Sequence, residues 1–228
     1  MATSVIESGN YELFIDTGFQ VDAFILDDPL RGILDGPDYV LDGSTEFAPM
    51  LEYSTNVNVK RGRRDIGDQF SAGTMSFNLN DSLAGGTLNP LYSSSPYVDP
   101  AGQFTLAPLR RVSFGRYNSV GTFITLFVGQ IVNYDYNYEL GGQNMITVYC
   151  ADDFYLLAQT ALAENNVSEQ LSSARLSAVL DLPEVAYPAL TRDIETGTQT
   201  LGGAAAYTVA EGTNVKAYID QIQQAEQG

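Results

Sequence analysis

The fold is decided by residues 51–79, which read LEYSTNVNVKRGRRDIGDQFSAGTMSFNL. Apolar and polar residues alternate at both ends of this stretch, from Leu51 to Lys60 and again from Met75 to Leu79. A period of two is typical of a strand with one buried face and one exposed face. Two such strands with a short connection form a hairpin-like unit, and further sheet must cover its apolar face.

The connection between these two strands is strongly basic. It holds four of the chain's eleven basic residues, Lys60, Arg61, Arg63 and Arg64. The flanks are acidic: residues 1–59 carry eleven acids and one arginine, a net charge of −10, and residues 118–228 also carry −10. Residues 60–117 carry +3. The basic residues therefore either neutralise acidic neighbours within the fold or dock as a strip on an acidic surface of another subunit.

Composition excludes several classes of function. The net charge of −17 argues against nucleic-acid binding through overall charge, and no sequence-specific binding is expected. The absence of His excludes His-dependent zinc sites and nucleophilic triads. The single cysteine, Cys150, lies in the apolar run ITVYC and is interpreted as a buried small hydrophobe. We expect no cofactor, metal, secretory signal or membrane span. We expect the protein to be synthesised in the cytoplasm.

Residues 1–50 are interpreted as an extended acidic arm. Tyr11 to Ile15 reads as a short strand broken at Thr17-Gly18, and Val21 to Leu26 as another. Turn signals such as Asp35-Gly36-Pro37-Asp38 follow. An arm with so little apolar surface is expected to lie on its own domain or on a neighbouring chain.

Residues 51–150 are interpreted as the main β domain. The segment from Asn80 to Gly102 is rich in Asn, Gly, Ser and Pro, and a loop this long is usually functional or packed on a partner. Residues 122–150 predict a β-meander with a bulge or bend at Gly129.

The pattern becomes helical after residue 150. Apolar residues at helical spacing run from Phe154 to Leu162 behind Asp152, and a second stripe ends before Pro183. These stripes predict a helical connector over residues 151–183. Residues 184–228 predict the start of a small α/β subdomain, ending in a helix capped by Thr213 or Asn214. Because this part holds so few elements, the chain is expected to continue beyond Gly228.

Three acidic motifs suggest chemistry, and each has a simpler structural interpretation. Asp16-Thr17-Gly18 matches the loop of aspartic proteases, whose chemistry needs two carboxylates, but it also fits a turn after a strand. The acidic loop 35–46 lacks the spacing of an EF-hand, so it is either a calcium site of another geometry or a solvated loop. Asp152-Asp153 fits the cap of a helix better than an acid/base pair. We therefore predict no catalytic residues and no metal ligands.

Three tyrosines alternate with polar residues on one predicted strand, Tyr134, Tyr136 and Tyr138. Their rings could form a platform on which sugars stack. They could equally face a core or a subunit interface, where tyrosine is common.

The ordered set of motifs resembles the minor tail proteins of long-tailed phages that infect actinobacteria. Those proteins share a strand ending in Arg-Gly-Arg, a Phe-x-x-Gly-Thr/Gln turn, an Asn-Asp strand end and Asn-Pro-x-x-x-x-Ser-Pro-Tyr. The matching residues here are Arg61 to Arg63, Phe70 to Thr74, Asn80-Asp81 and Asn89 to Tyr97. The pattern continues with Pro-x-Arg/Lys-x-Val, Leu-Phe-x-Gly-x-Val and Asp-x-Phe-x-Leu-Leu-Ala. These motifs match residues 108–112, 126–132 and 152–158.

The resemblance implies a β-barrel or sandwich domain like that of a tail hub, followed by helices and the small α/β subdomain. It implies a structural, non-enzymatic virion protein that forms a ring at the tail tip or baseplate, for host attachment and DNA delivery. A trimer is favoured and a hexamer possible, with the distal tail protein, the tape measure protein and other minor tail proteins as neighbours. The alternative is a carbohydrate-binding module that contacts the host surface. The candidate interface residues are Lys60, Arg61, Arg63, Arg64, Tyr97, Arg110 and Arg111.

Overall fold

The structure, a computed structural model, describes residues 11–21, 44–61, 71–140, 142–189, 192–202 and 207–227. The chain divides into two compact units. Unit 1 comprises Met1–Lys60 with Thr74–Asp152, and unit 2 comprises Arg61–Gly73 with Asp153–Gly228.

Unit 1 is built on one antiparallel sheet of seven strands in the order β2-β1-β5-β6-β7-β4-β3. The strands are β1 (Tyr11–Val21), β2 (Ser44–Pro49), β3 (Ser54–Lys60), β4 (Thr74–Asn80), β5 (Arg111–Tyr117), β6 (Phe123–Asn137) and β7 (Met145–Ala151). The segment predicted as a meander, residues 122–150, forms the antiparallel pair β6–β7, and the preceding strand β5 extends it to three successive neighbours. The mainly β prediction is confirmed. Among the described strands β2 and β3 are edges, so the sheet is open and not closed into a barrel.

The predicted strand pair around the basic connection is present. β3 pairs with β4, with Val59 opposite Met75, and the period of two places Met75, Phe77 and Leu79 in the core at 2% exposure or less. β4 in turn pairs with β7, whose Ile146 and Val148 are equally buried. Residues 51–53, predicted as strand, instead form a 3-10 helix that leads into β3.

The first strand extends beyond the predicted break. β1 continues through Thr17 and Gly18 to Val21, because the register shift between Asp16 and Gln20 absorbs the irregularity as a bulge. Gly18 takes a φ of 77° there, which suits glycine. β1 and β2 both come from the segment predicted as an arm, and both are strands of the main sheet. Residues 22–43, with the predicted strand to Leu26 and most of the acidic loop 35–46, lie outside the described residues.

The predicted bulge at Gly129 is displaced. The register of β6 shifts opposite Phe114–Gly115 and again between Ile131 and Asn133, on either side of the glycine. Gly129 instead allows β6 to lie close to β7, since a Cβ atom there would be 2.2 Å from the carbonyl oxygen of Ala151.

The long loop after β4 covers part of the sheet's apolar face. It contributes Leu88 and Leu106, which are 2% and 3% exposed, to the same core as the strands. The buried carboxylate of Asp81 accepts a hydrogen bond from the backbone N–H of Leu88 (2.9 Å) and so closes the first turn of the loop. Further along, the Ser95 hydroxyl donates to the carbonyl of Thr87 (2.5 Å). The loop is therefore packed on its own unit.

In the described residues of unit 2, three helices and two small sheets pack around a second core. The helices are α1 (Asp153–Leu157), α2 (Ser172–Leu180) and α3 (Val215–Gln227). The strands are β8 (Asn165–Val167), β9 (Gln170–Leu171), β10 (Thr200–Leu201) and β11 (Tyr207–Val209); β8 pairs with β11 and β9 with β10. Asn214 caps α3 by accepting the N–H of Ala217 (3.0 Å). The helix predicted to reach Leu162 ends at Leu157, and Leu162 is buried in the core without being helical.

Two polar anchors organise unit 2. The guanidinium of Arg175 is fully buried and donates to the hydroxyl of Tyr218 (2.8 Å) and the carbonyl of Ser168 (2.5 Å). The carboxylate of Glu226 accepts hydrogen bonds from the Ser172 hydroxyl and from the backbone N–H groups of Thr198 and Gln199, both at 2.9 Å. It also accepts from the Thr198 hydroxyl (2.9 Å). Glu226 thus fastens the segment before β10 to α2 and α3. These hydrogen bonds are here called the Glu226 clamp.

We expect Asp81→Ala to lower the free energy of unfolding by about 1–3 kcal/mol, because the buried N–H of Leu88 loses its acceptor. Urea unfolding measures the loss. Asp99→Ala is the matched control, since the Asp99 carboxylate accepts a comparable hydrogen bond from Gln103 (2.8 Å) that is exposed to solvent. Equal losses in the two variants would contradict the assigned role of the buried carboxylate.

Hydrogen bonds from the Ser172 hydroxyl, the Gln199 N–H and Thr198 lower the pKa of Glu226 from 4.5 to about 2. A lowered folded-state pKa stabilises the fold above pH 4.5, and this stabilisation disappears as the pH falls to about 2. We expect Glu226→Gln, which loses one acceptor oxygen, to be less stable than the wild type at neutral pH. The difference should shrink below pH 4.5.

The measurement is thermal unfolding between neutral pH and pH 3, together with the amide exchange rates of Thr198 and Gln199. Glu211→Gln, at an exposed position of the same unit, is the control and should be unchanged. A stability difference that stays constant down to pH 3 speaks against the clamp.

Candidate subunit interface

Tyr97 is held by the long loop of unit 1. The Ser95 hydroxyl accepts the N–H of Tyr97 (3.1 Å), and the Tyr97 carbonyl accepts the N–H of Thr105 (2.7 Å). The half-buried ring packs against the core. Burial raises the pKa of the Tyr97 hydroxyl, and the nearby carboxylates of Glu46 and Glu52 raise it further. The ring of Tyr97 therefore mainly packs against the core, and its hydroxyl lies near the carboxylates of Glu46 and Glu52.

Arg110 is tied into the same loop. Its Nε donates to the carbonyl of Thr105 (2.9 Å), which links it to the backbone of Tyr97. Its guanidinium lies over Gly18, where a Cβ atom would be 2.1 Å from Nη2. Arg111 is half-buried on β5, opposite Gln130. Arg110 thus braces unit 1, and an interface role for either arginine stays a prediction.

Lys60 and Arg61 occupy a different place, at the end of edge strand β3. Both are exposed, as a docking strip requires. Arg63 and Arg64 lie outside the described residues. The five described candidates lie in different parts of the chain: Tyr97 and Arg110 belong to the long loop, Arg111 to β5 and Lys60 to the end of β3, and Arg61 follows β3.

Two tyrosines of β6 and Tyr138, which follows its last residue, stack along the chain, with ring centroids 5.8 Å apart for Tyr134–Tyr136 and 6.1 Å for Tyr136–Tyr138. Tyr134 and Tyr136 pack against the core, opposite the buried Val148 and Ile146. Burial raises the pKa of both hydroxyls, that of Tyr136 to about 12. Tyr138 is 44% exposed. The rings mainly fill the core, which leaves one of the three for stacking on a sugar.

Two of the carboxylates weighed for chemistry, those of Asp16 and Asp153, have structural partners. Asp16 accepts the N–H of Gly18 (2.7 Å) within the β1 bulge, and Asp153 accepts the hydroxyl of Tyr187 (2.9 Å). In the part of the chain that the structure describes, no group of three His, Cys, Asp or Glu side chains could hold a metal ion. No helix among those residues is long and apolar enough to cross a bilayer. Burial raises the pKa of the Cys150 thiol to about 12, so this thiol is unreactive near neutral pH.

The sequence did not predict an apolar surface at the β5–β6 turn. Here it is called the hairpin patch and consists of the exposed Tyr117, Val120 and Ile124 and the half-buried Phe123 and Phe14, the last on β1. Phe123 contacts Tyr117 and Phe14 edge-on, with centroids 5.3 and 5.8 Å apart. Strand periodicity alone would assign such residues to a core. The turn sequence Asn118-Ser119-Val120-Gly121 was the available signal that they lie at the tip of a hairpin.

A second unassigned feature is a cleft of about 700 Å³ within unit 2, here called the unit 2 cleft. Its apolar lining comes from Phe154, Leu176, Ile194, Ile219 and Ile222. Two exposed carboxylates on the segment before β10, those of Asp193 and Glu195, also line it. Since the Glu226 clamp lies on its wall, this segment is held in place beside the cleft.

Comparisons with known proteins give no assignment by sequence. No family model matches the chain, and no curated protein matches it. Among solved structures, the chain has distant similarity to the E. coli c3393 protein, described as a component of the type VI secretion system that resembles the T4 bacteriophage tail proteins gp27 and gp5. The identity is 8% and the TM-score 0.37. The match covers 72% of this chain and 42% of that protein, so the chain spans less than half of its length.

Proposed function

We propose that this protein is a structural component of a phage tail tip or baseplate, where copies of the chain assemble into a ring at the distal end of the tail. A trimer is favoured if the ring is the hub, and a hexamer if it is the ring above. The protein is made in the cytoplasm of the bacterial host and ends in the virion. Its neighbours are the distal tail protein, the tape measure protein and other minor tail proteins.

One observation carries the proposal: the residues of the phage-like motifs hold backbone in place. Asp81 closes the turn that begins the long loop, and Ser95 and Tyr97 continue its hydrogen bonding. Arg110 ties the end of the loop to Thr105 and covers Gly18. Motif residues that anchor backbone suit a structural protein.

The edges of the open sheet suggest how copies meet. β2 ends in Pro49, which has no N–H to offer a neighbouring strand. β3 has a register shift next to Asn56, whose φ is 54°, and it ends in exposed Lys60. Proline, bulges and lysine are the devices by which edge strands avoid pairing with other chains. Contacts between copies are therefore expected to use side chains, with charge guiding them.

Charge supports a head-to-tail arrangement. Lys60 and Arg61 are exposed on a chain whose net charge is −17, so most of the surface that a second copy presents is acidic. A head-to-tail contact joins two different surfaces and closes into a ring when the rotation allows. Steering by opposite charges would speed that encounter and fix its orientation.

We expect the triple variant Arg61→Glu, Arg63→Glu, Arg64→Glu to stay monomeric under conditions in which the wild type assembles, because its strip then repels acidic surfaces. Analytical ultracentrifugation measures the oligomeric state, and unfolding temperature verifies that the monomer folds.

The control is Arg61→Lys, Arg63→Lys, Arg64→Lys, which keeps the charge and should still assemble. High salt should weaken assembly of the wild type, since exposed charges are screened over about 3 Å at 1 M. Normal assembly of the Glu variant would falsify the docking role of the strip.

A further inference from the structure

The hairpin patch presents apolar side chains on both faces of the β5–β6 hairpin and at its tip. Because residues opposite each other in the β5–β6 pair share a face, Tyr117 and Phe123 lie on one face of the hairpin. Arg116 and Ile124 lie on the other face. Val120, at the tip, is 81% exposed, and Ile124 and Tyr117 are 40% and 38% exposed. A patch that continues around both faces and the tip fits a concave surface better than a flat one.

The patch is also rigid. The Asn118 side chain accepts the N–H groups of Val120 (3.0 Å) and Thr122 (2.8 Å), and the backbone of Asn118 closes the turn with Thr122 (2.9 Å). The ring of Phe123 lies over Gly115, where a Cβ atom would come within 2.5 Å of it. A preorganised apolar tip loses little conformational entropy when it docks.

Two charged residues lie beside the patch, the half-buried Glu12 opposite Gly115 on β1 and the exposed Arg116 on β5. Arg116 is exposed and is the only charged residue between 116 and 124. Tyrosine, phenylalanine and arginine are the residue types enriched in the centres of protein interfaces. The partner surface should therefore be concave, apolar and acidic.

The unit 2 cleft has these three properties. It is concave with a volume of about 700 Å³, and side chains such as Phe154, Leu176 and Ile219 form its apolar lining. The exposed carboxylates of Asp193 and Glu195 lie along it and supply the charge opposite to that of Arg116. Hydrogen bonds anchor this segment on both sides of the two carboxylates, from Arg192 to Asp181 and from Thr198 and Gln199 to Glu226.

We propose that the hairpin patch of one copy docks in the unit 2 cleft of a second copy. The inference rests on the proposed assembly of copies and names the two surfaces that meet. Tyr117, Val120 and Ile124 contact the apolar lining, and Arg116 pairs with Asp193 or Glu195. Because each copy carries both surfaces, the contact is head-to-tail and can repeat around a ring.

The test is complementation between two defective variants. Val120→Asp places a carboxylate at the centre of the patch, and Asp193→Arg with Glu195→Arg reverses the charge of the cleft. Each variant alone should lose self-association by at least about tenfold in Kd. Mixed together, they should form 1:1 heterodimers, because the first keeps an intact cleft and the second an intact patch. Sedimentation of a fluorescently labelled variant with its unlabelled partner detects the pair.

Leu140→Asp is the matched control. Leu140 lies between β6 and β7 and is fully exposed, so an acidic residue there tests the effect of charge alone and should leave association unchanged. Unfolding temperatures equal to that of the wild type show that each variant folds.

The possible results separate the two proposals. If the wild type assembles and Val120→Asp assembles equally well, or if the mixed variants stay monomeric, the docking of patch in cleft is overturned while the proposed ring stands. If the wild type stays monomeric and is missing from virions, both proposals fail.

Discussion

Unit 1 depends on covering the apolar face of a sheet that does not close on itself. A barrel would bury that face by curvature, whereas here the chain uses its own long loop, which inserts Leu88 and Leu106 over the strands. Such a loop carries many backbone polar groups, and each one that is buried needs a partner. The buried carboxylate of Asp81 supplies the first of these partners, and the hydroxyl of Ser95 supplies others further along. The sheet and the loop are therefore one cooperative structure.

Unit 2 must also hold an irregular chain in place, with fewer buried apolar residues than unit 1. Two of its helices have fewer than ten residues, so they are marginal on their own and depend on tertiary contacts. Buried Arg175 joins α2 to α3 through Tyr218, and Glu226 fastens an irregular segment to both helices. Polar anchors of this kind impose one geometry, and that geometry shapes the cleft. In both units, side chains that bind backbone decide the form of the exposed surfaces.

Much of the fold follows from the sequence because alternation is a local signal. The burial of Met75, Phe77 and Leu79 could be predicted from spacing alone. The continuation of β1 through Gly18 could not, since its neighbours in the sheet, β2 and β5, are distant in sequence or come from a segment that reads as turns. The candidate site was harder to predict. The positions of basic residues can be read from the sequence. Whether an arginine is exposed like Arg61 or lies over a glycine like Arg110 depends on tertiary contacts.

The stacked tyrosines give the fold an internal optical probe. The chain has no tryptophan, so its near-ultraviolet signal comes mainly from its fourteen tyrosines. Burial raises the pKa of Tyr134 and raises that of Tyr136 to about 12, whereas an exposed phenol ionises near 10. Because the folded state holds these protons more tightly than the unfolded chain, the fold becomes less stable as the pH rises from about 10 through about 12. Tyrosinate absorbance that appears late, in one cooperative step, would therefore report the opening of the sheet beneath β6.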